Sequence, residues 1–132
     1  MVNPEPIAWF PGWRPAARPI AWPAMHALFV TYALRDADPA QHAELCEQLA
    51  PAVAAVPGLL ATTWLTNAET GRFGAFYVFA SRAAFERYVA SELFDMLLSP
   101  ASVHEVTAND FSVADIPTAL TRGPRTPEQE DT

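Results

Sequence analysis

The sequence has no lysine, one cysteine, three histidines and five glycines. The single thiol, Cys46, excludes a disulfide within the chain and any cysteine-based zinc site, and it suits a reducing cytoplasm. The eight basic residues are all arginines, scattered along the chain, and fifteen acids bring the formal net charge to −7. Without a basic stripe there is nothing to hold a phosphate backbone, so nucleic acid is not an expected partner. The most apolar stretch, residues 24–34, is about half the roughly 20 residues that cross a bilayer. The N-terminus carries Glu5 and prolines where a secretory signal would place basic residues and an apolar run. These absences predict a soluble, cytoplasmic protein. Nucleophile motifs, glycine-rich phosphate loops, the dinucleotide fingerprint and metal spacings such as His-Glu-x-x-His are also missing, so the expectation is no cofactor and no metal.

What is present is apolar. Hydrophobic residues make up 51% of the 132, which is enough to build one core without covalent staples. Residues 1–23 stand apart, with six prolines and three tryptophans, Trp9, Trp13 and Trp22. They read as an extended arm whose rings dock on the domain or on a partner subunit. Residues 24–123 read as the folded domain, and 124–132 as a disordered acidic tail.

Within the domain, Met25 to Leu34 is rich in β-branched and aromatic residues and predicts a strand. His26, Leu28, Val30, Tyr32 and Leu34 fall on one face of it. Asp38, Pro39 and Gln41 have the spacing of a capped helix start. That helix is expected to run to about Val56 with Leu45, Leu49, Val53 and Val56 as its apolar stripe. Pro57-Gly58 ends it. Leu59 to Thr66 and Arg72 to Ala80 read as a hairpin around the polar turn 67–71. Ser81 caps a second helix through Phe85, Tyr88 and Val89, a further helical stretch covers Glu92 to Leu98, and Pro100 stops it. A last strand is expected from about Ser102 to Val113, followed by an extended arm over 114–123. The order β-α-β-β-α-β is the ferredoxin-like α+β arrangement: an antiparallel sheet with helices on one face. The other face is too apolar for water, which predicts self-association through it.

Several of these segments together resemble a known family. Pro57-Gly58-Leu59, Trp64 five residues on, a glycine-bearing turn, Phe76-Tyr77-Val78-Phe79, Tyr88 and Phe111-Ser112-Val113 are similar to the YdhR family of monooxygenase-like proteins in the dimeric α+β barrel superfamily. The similarity spans about Ala24 to Gly123. Where that pattern has Phe-Asp-Val, this sequence has Phe-Ser-Val, with Asp110 one place before the phenylalanine. Leu65 stands where threonine is frequent. The resemblance implies a homodimer and a pocket between sheet and helices. It also implies cofactor-independent oxygenation of an aromatic or polycyclic, polyketide-type molecule. Relatives on this scaffold also cyclise secondary-metabolite intermediates or bind lipophilic ligands without turnover, so a cyclase or isomerase and a non-catalytic binding protein stand as alternatives.

Oxygenation without a cofactor needs a base near neutral pH and polar donors in a dry pocket. His26 and His104 are the candidate bases by intrinsic pKa, both on strands, with Tyr77 as a third catalytic candidate. Each histidine reads more readily as a hydrogen-bonded or partly exposed strand residue than as a base. His104 is expected to share a face with Val106, Ala108 and Asp110. Trp64, Tyr32, Phe29, Phe76 and Asn109 are the candidate substrate contacts, against core or interface packing for the aromatics. His42, near the start of the first helix, reads as a surface residue.

Overall fold

A computed structural model describes residues 25–124. The proline- and tryptophan-rich arm and nearly all of the acidic tail lie outside them. Strand β1 (His26–Leu34) leads to helix α1 (Pro39–Ala54), then β2 (Leu59–Asn67) and β3 (Arg72–Phe79). Helices α2 (Arg82–Val89) and α3 (Glu92–Leu98), strand β4 (Val103–Ser112) and a short helix α4 (Asp115–Leu120) complete the chain. The strands form one antiparallel sheet in the order β2-β3-β1-β4. This is the ferredoxin-like arrangement expected from the element order.

The helix starts are set by local chemistry. Asp38 caps α1, its carboxylate accepting from the Ala40 amide at 3.0 Å, one residue earlier than the capping-box spacing predicts. Pro39 follows in the first turn, where a missing amide hydrogen costs nothing. Ser81 caps α2 and Ser91 caps α3 through the amides of Ala84 and Phe94. Gly58 turns the chain from α1 into β2 at φ +83°, and a Cβ there would collide with the Cβ of Ala84 on α2. Glycine is therefore required twice at this position, for its backbone angle and for the approach of α2.

One sheet face carries the core. Leu28, Val30 and Tyr32 of β1 and Phe73, Ala75, Tyr77 and Phe79 of β3 pack against Val53 of α1 and Ala84, Phe85 and Tyr88 of α2. Phe79 is fully buried among the rings of Tyr77, Phe85 and Tyr88, a burial that contributes roughly 2–3 kcal/mol. On the opposite face the Phe29 and Phe76 rings meet at 6.3 Å and remain more than one-third exposed, with Phe111 more open still.

Three expectations are corrected. Residues 114–123 are not extended: α4 occupies most of them, with Pro117 tolerated in its first turn and the Gly123 amide closing back on the Thr118 carbonyl at 2.7 Å. The inward stripe of α1 is not centred on Leu45, which is exposed. It runs through His42, Cys46, Leu49, Ala50 and Val53, rotated from the expected phase. His104 does not share a face with Ala108 and Asp110. Ala33 pairs with His104 and Thr31 with Thr107, so Glu105 and Val106 together stand opposite Tyr32. That bulge, with Glu105 at φ +54°, reverses the alternation and turns His104 to the outer face.

Candidate functional site

Between α1 and the sheet lies a cavity of about 530 Å³, within the usual range for small-molecule sites. Its origin is the inner side of α1, where Ala40, Ala43, Cys46 and Ala50 are too small to fill the gap to β2 and β3. Trp64 and Thr66 of β2, Phe73 and Gly74 of β3 and Tyr32 of β1 make the opposite wall. The lining is mostly apolar. Its polar centre is a cluster of three side chains.

The Tyr32 hydroxyl and His42 Nε2 are hydrogen-bonded at 2.7 Å, and Cys46 Sγ lies 3.6 Å from the same nitrogen. With Nδ1 protonated, the tyrosine donates to Nε2; with Nε2 protonated, that N–H donates to the phenolic oxygen. The imidazole is wedged edge-on between the Tyr32 and Phe73 rings, at centroid distances of 5.5 and 5.4 Å. This position follows from the Asp38 cap and Pro39, which fix the phase of α1 and bring its fourth residue over β1.

Burial sets the charge state of the cluster. Desolvation lowers the His42 pKa below its usual 6.5, so the ring is neutral at neutral pH. It raises the Cys46 thiol. Tyr32 is held well above the ordinary phenol range, by burial first and then by proximity to Cys46 and Tyr77. The cavity thus contains a neutral imidazole coupled to a neutral phenol, an arrangement that can accept a proton at one ring and stabilise a nearby oxyanion by donation from the other.

Of the sequence candidates, Tyr32 and Trp64 line this cavity. Tyr77 lies in the core, its oxygen accepting from the Tyr88 hydroxyl at 3.0 Å, and burial together with Tyr88 pushes its pKa far up. His26 is buried at the opposite end of the inner face, packed on Phe85, with Nε2 at 2.6 Å from an Asp110 oxygen. That hydrogen bond holds the Asp110 carboxyl below its usual value. His104, Phe29, Phe76 and Asn109 belong to the outer face, where Asn109 stands opposite Phe29. His42 and Cys46 are the cavity residues that the sequence candidates omit. Their i, i+4 spacing, continued to Val53, was the available signal: it marks one helix face.

A four-stranded ferredoxin-like sheet with helices on one face and a polar cluster in a cavity beneath the first helix defines a class of small α+β proteins. The chain belongs to the family described as "Putative mono-oxygenase ydhR", whose pattern matches residues 28–124. Among solved structures, the fold is similar to a protein of unknown function from Nitrosomonas europaea (TM-score 0.61, 20% identity, covering 71% of this chain and 93% of that one). It is similar to a "putative antibiotic biosynthesis monooxygenase" from Caulobacter crescentus (TM-score 0.60, 18% identity, 71% and 93% covered). SnoaB, a cofactor-independent oxygenase from Streptomyces nogalater, is also similar (TM-score 0.56, 16% identity, 70% and 95% covered). No curated protein matches the sequence. No described helix is long and apolar enough to cross a membrane.

Proposed function

We propose that the protein is a cofactor-independent monooxygenase acting on an aromatic or polycyclic phenol of the polyketide type, bound between α1 and the sheet. One observation carries this: a mostly apolar, aromatic-walled cavity of about 530 Å³ has the neutral Tyr32–His42 pair at its polar centre. Family membership and the likeness to SnoaB support the reaction type.

The chemistry asks little of the protein. A ring methylene conjugated to the ring carbonyl, as in an anthrone, loses a proton to His42, and the electron pair is delocalised onto that carbonyl oxygen as an enolate. Donation from Tyr32 favours that oxyanion, while Trp64 and Phe73 hold the ring plane. The anion passes electrons to dioxygen. Conversion of CH₂ and O₂ to C=O and H₂O balances without an external reductant. We further propose that the protein works in the cytoplasm as a homodimer joined through its outer sheet face. The lone free thiol suits that compartment.

Purified protein treated with a chelator should consume dioxygen when given an anthrone-type phenol, with one quinone carbonyl formed per dioxygen consumed. Binding without uptake across a panel of such phenols would defeat the oxygenase reading. Product formation that continues anaerobically would point instead to acid–base cyclisation in the same cavity.

A further inference from the structure

A second cavity of about 320 Å³ adjoins the first. Ala50 of α1 and Trp64 of β2 line both, so the indole and the small side chain facing it form a shared partition. Beyond it, Val53, Leu59 and Leu60 make an apolar wall, and Thr62 is the one hydroxyl-bearing residue. The Thr62 Oγ1 atom is shut off from solvent and has no hydrogen-bond partner among the described residues. A desolvated, unpaired hydroxyl is costly to keep, and native structures keep few of them without a reason. Val53 and Ala50 already place small or slender side chains on this stretch of α1, so a valine at position 62 would fit the surroundings equally well.

We infer that the two cavities are the lobes of one elongated site, and that the second lobe receives the far, oxygen-bearing end of the substrate. The inference rests on the aromatic-phenol reading of the first lobe and deepens it to a class: linear polycycles oxygenated at both ends. Thr66, in the first lobe, and Thr62, in the second, are four residues apart on β2, or roughly 13 Å at about 3.3 Å per residue. A naphthol-sized molecule is too short to reach from the Tyr32–His42 pair past Trp64. A linear tricyclic or tetracyclic skeleton is of that length. Its terminal hydroxyl or carbonyl meets Thr62 after a turn about χ1, and a threonine hydroxyl can donate to one or accept from the other. Ala50 sets the width of the passage and Thr62 the preference at its end, which makes both specificity-determining residues.

The test uses the full chain, calorimetric binding and three ligands: 1-naphthol, a linear tetracyclic phenol with a terminal hydroxyl, and the same tetracycle without it. Ala54→Phe, at a position that lines the second cavity and not the first, should weaken the tetracycles at least tenfold while changing 1-naphthol by less than about twofold. Thr62→Val should weaken only the tetracycle with the terminal hydroxyl, by roughly five- to tenfold, the loss of one hydrogen bond. Its melting temperature should equal or exceed that of the parent, because it removes an unpaired hydroxyl. If Ala54→Phe affects long and short ligands alike, or neither, the two-lobed site is wrong and the first lobe stands alone. Equal behaviour of the two tetracycles towards Thr62→Val removes the role of Thr62. Should Ala54→Phe fail to fold, the Thr62→Val comparison decides. If the parent binds none of the three ligands, the aromatic-phenol reading fails, and this inference fails with it.

Discussion

His42 is where residue chemistry and function meet. Its pKa lies below 6.5 because the folded protein desolvates the imidazolium. The unfolded chain takes up this proton first as pH falls, so stability is unaffected by His42 above about pH 6.5 and declines from there down to the folded-state value. The same protonation removes the proposed base. Activity should therefore fall along an acid limb beginning below pH 6.5. His42→Gln keeps a polar partner for Tyr32 but cannot titrate. It should flatten the decline of the melting temperature that begins below about pH 6.5 and lower turnover roughly 10²- to 10⁴-fold. Asp110 does not confuse the measurement. Its carboxyl, lowered from 3.8 by the His26 hydrogen bond, contributes stability that is present above that value and lost only as pH falls below it. An acid slope in His42→Gln identical to that of the parent would show that His42 is not the titrating group. By sequence, His26 and His104, both on strands, stand as the candidate bases, and His42 is set aside as a surface residue. What distinguishes His42 is the small-residue face of α1, which leaves space beside it, and the rings of Tyr32 and Phe73 that desolvate it.

At the scale of elements, strand alternation, caps and turn glycines were legible because each depends on neighbours in sequence. The Ser81 cap, the 67–71 turn and the limits of α3 are cases of this. The face of His104 was not legible, because it depends on where a bulge falls in the pairing with β1, and Glu105 carries no glycine-like signature of its positive φ. Asp110 shows the opposite case. Positions 110 and 112 both pair with inward-facing residues of β1, Leu28 and His26, so a carboxylate displaced by two along β4 stays on the same face and still reaches His26. Gly58 links two elements at once. Gly58→Ala would combine an alanine at φ +83° with a collision against Ala84, which would push α2 off the sheet. A loss of more than about 1 kcal/mol is expected, measured by urea unfolding. A further change, Ala84→Gly, should recover the steric part and leave the backbone part, and full recovery would show that the positive φ carries no cost.

On the scale of the whole molecule, the sheet has two faces, and among the described residues helices pack on only one. Phe29, Phe76 and Phe111 stand on the uncovered side, with Thr31, Thr107 and the Arg72–Glu105 ion pair beside them. Four strands of about nine residues present a plan area of roughly 570 Å², and its corrugated accessible surface approaches the roughly 800 Å² that a standard interface removes from each partner. An apolar centre with polar groups at its edge is the composition of an interface core and rim. Two copies meeting across a two-fold axis bring the same patch together, so one substitution acts twice. Phe76→Asp would set a carboxylate from each copy into a desolvated apolar centre, with like charges facing across the two-fold axis. Sedimentation should then show a dimer for the parent chain and a 14.4 kDa monomer for Phe76→Asp, with the far-ultraviolet circular dichroism of both alike. Because Phe76 points away from the cavity, the monomer should still bind a phenolic ligand at the Tyr32–His42 pair. A parent chain that sediments as a monomer at micromolar concentration would leave the apolar face without the partner proposed for it, and the cavity under α1 would then have to act within a single copy.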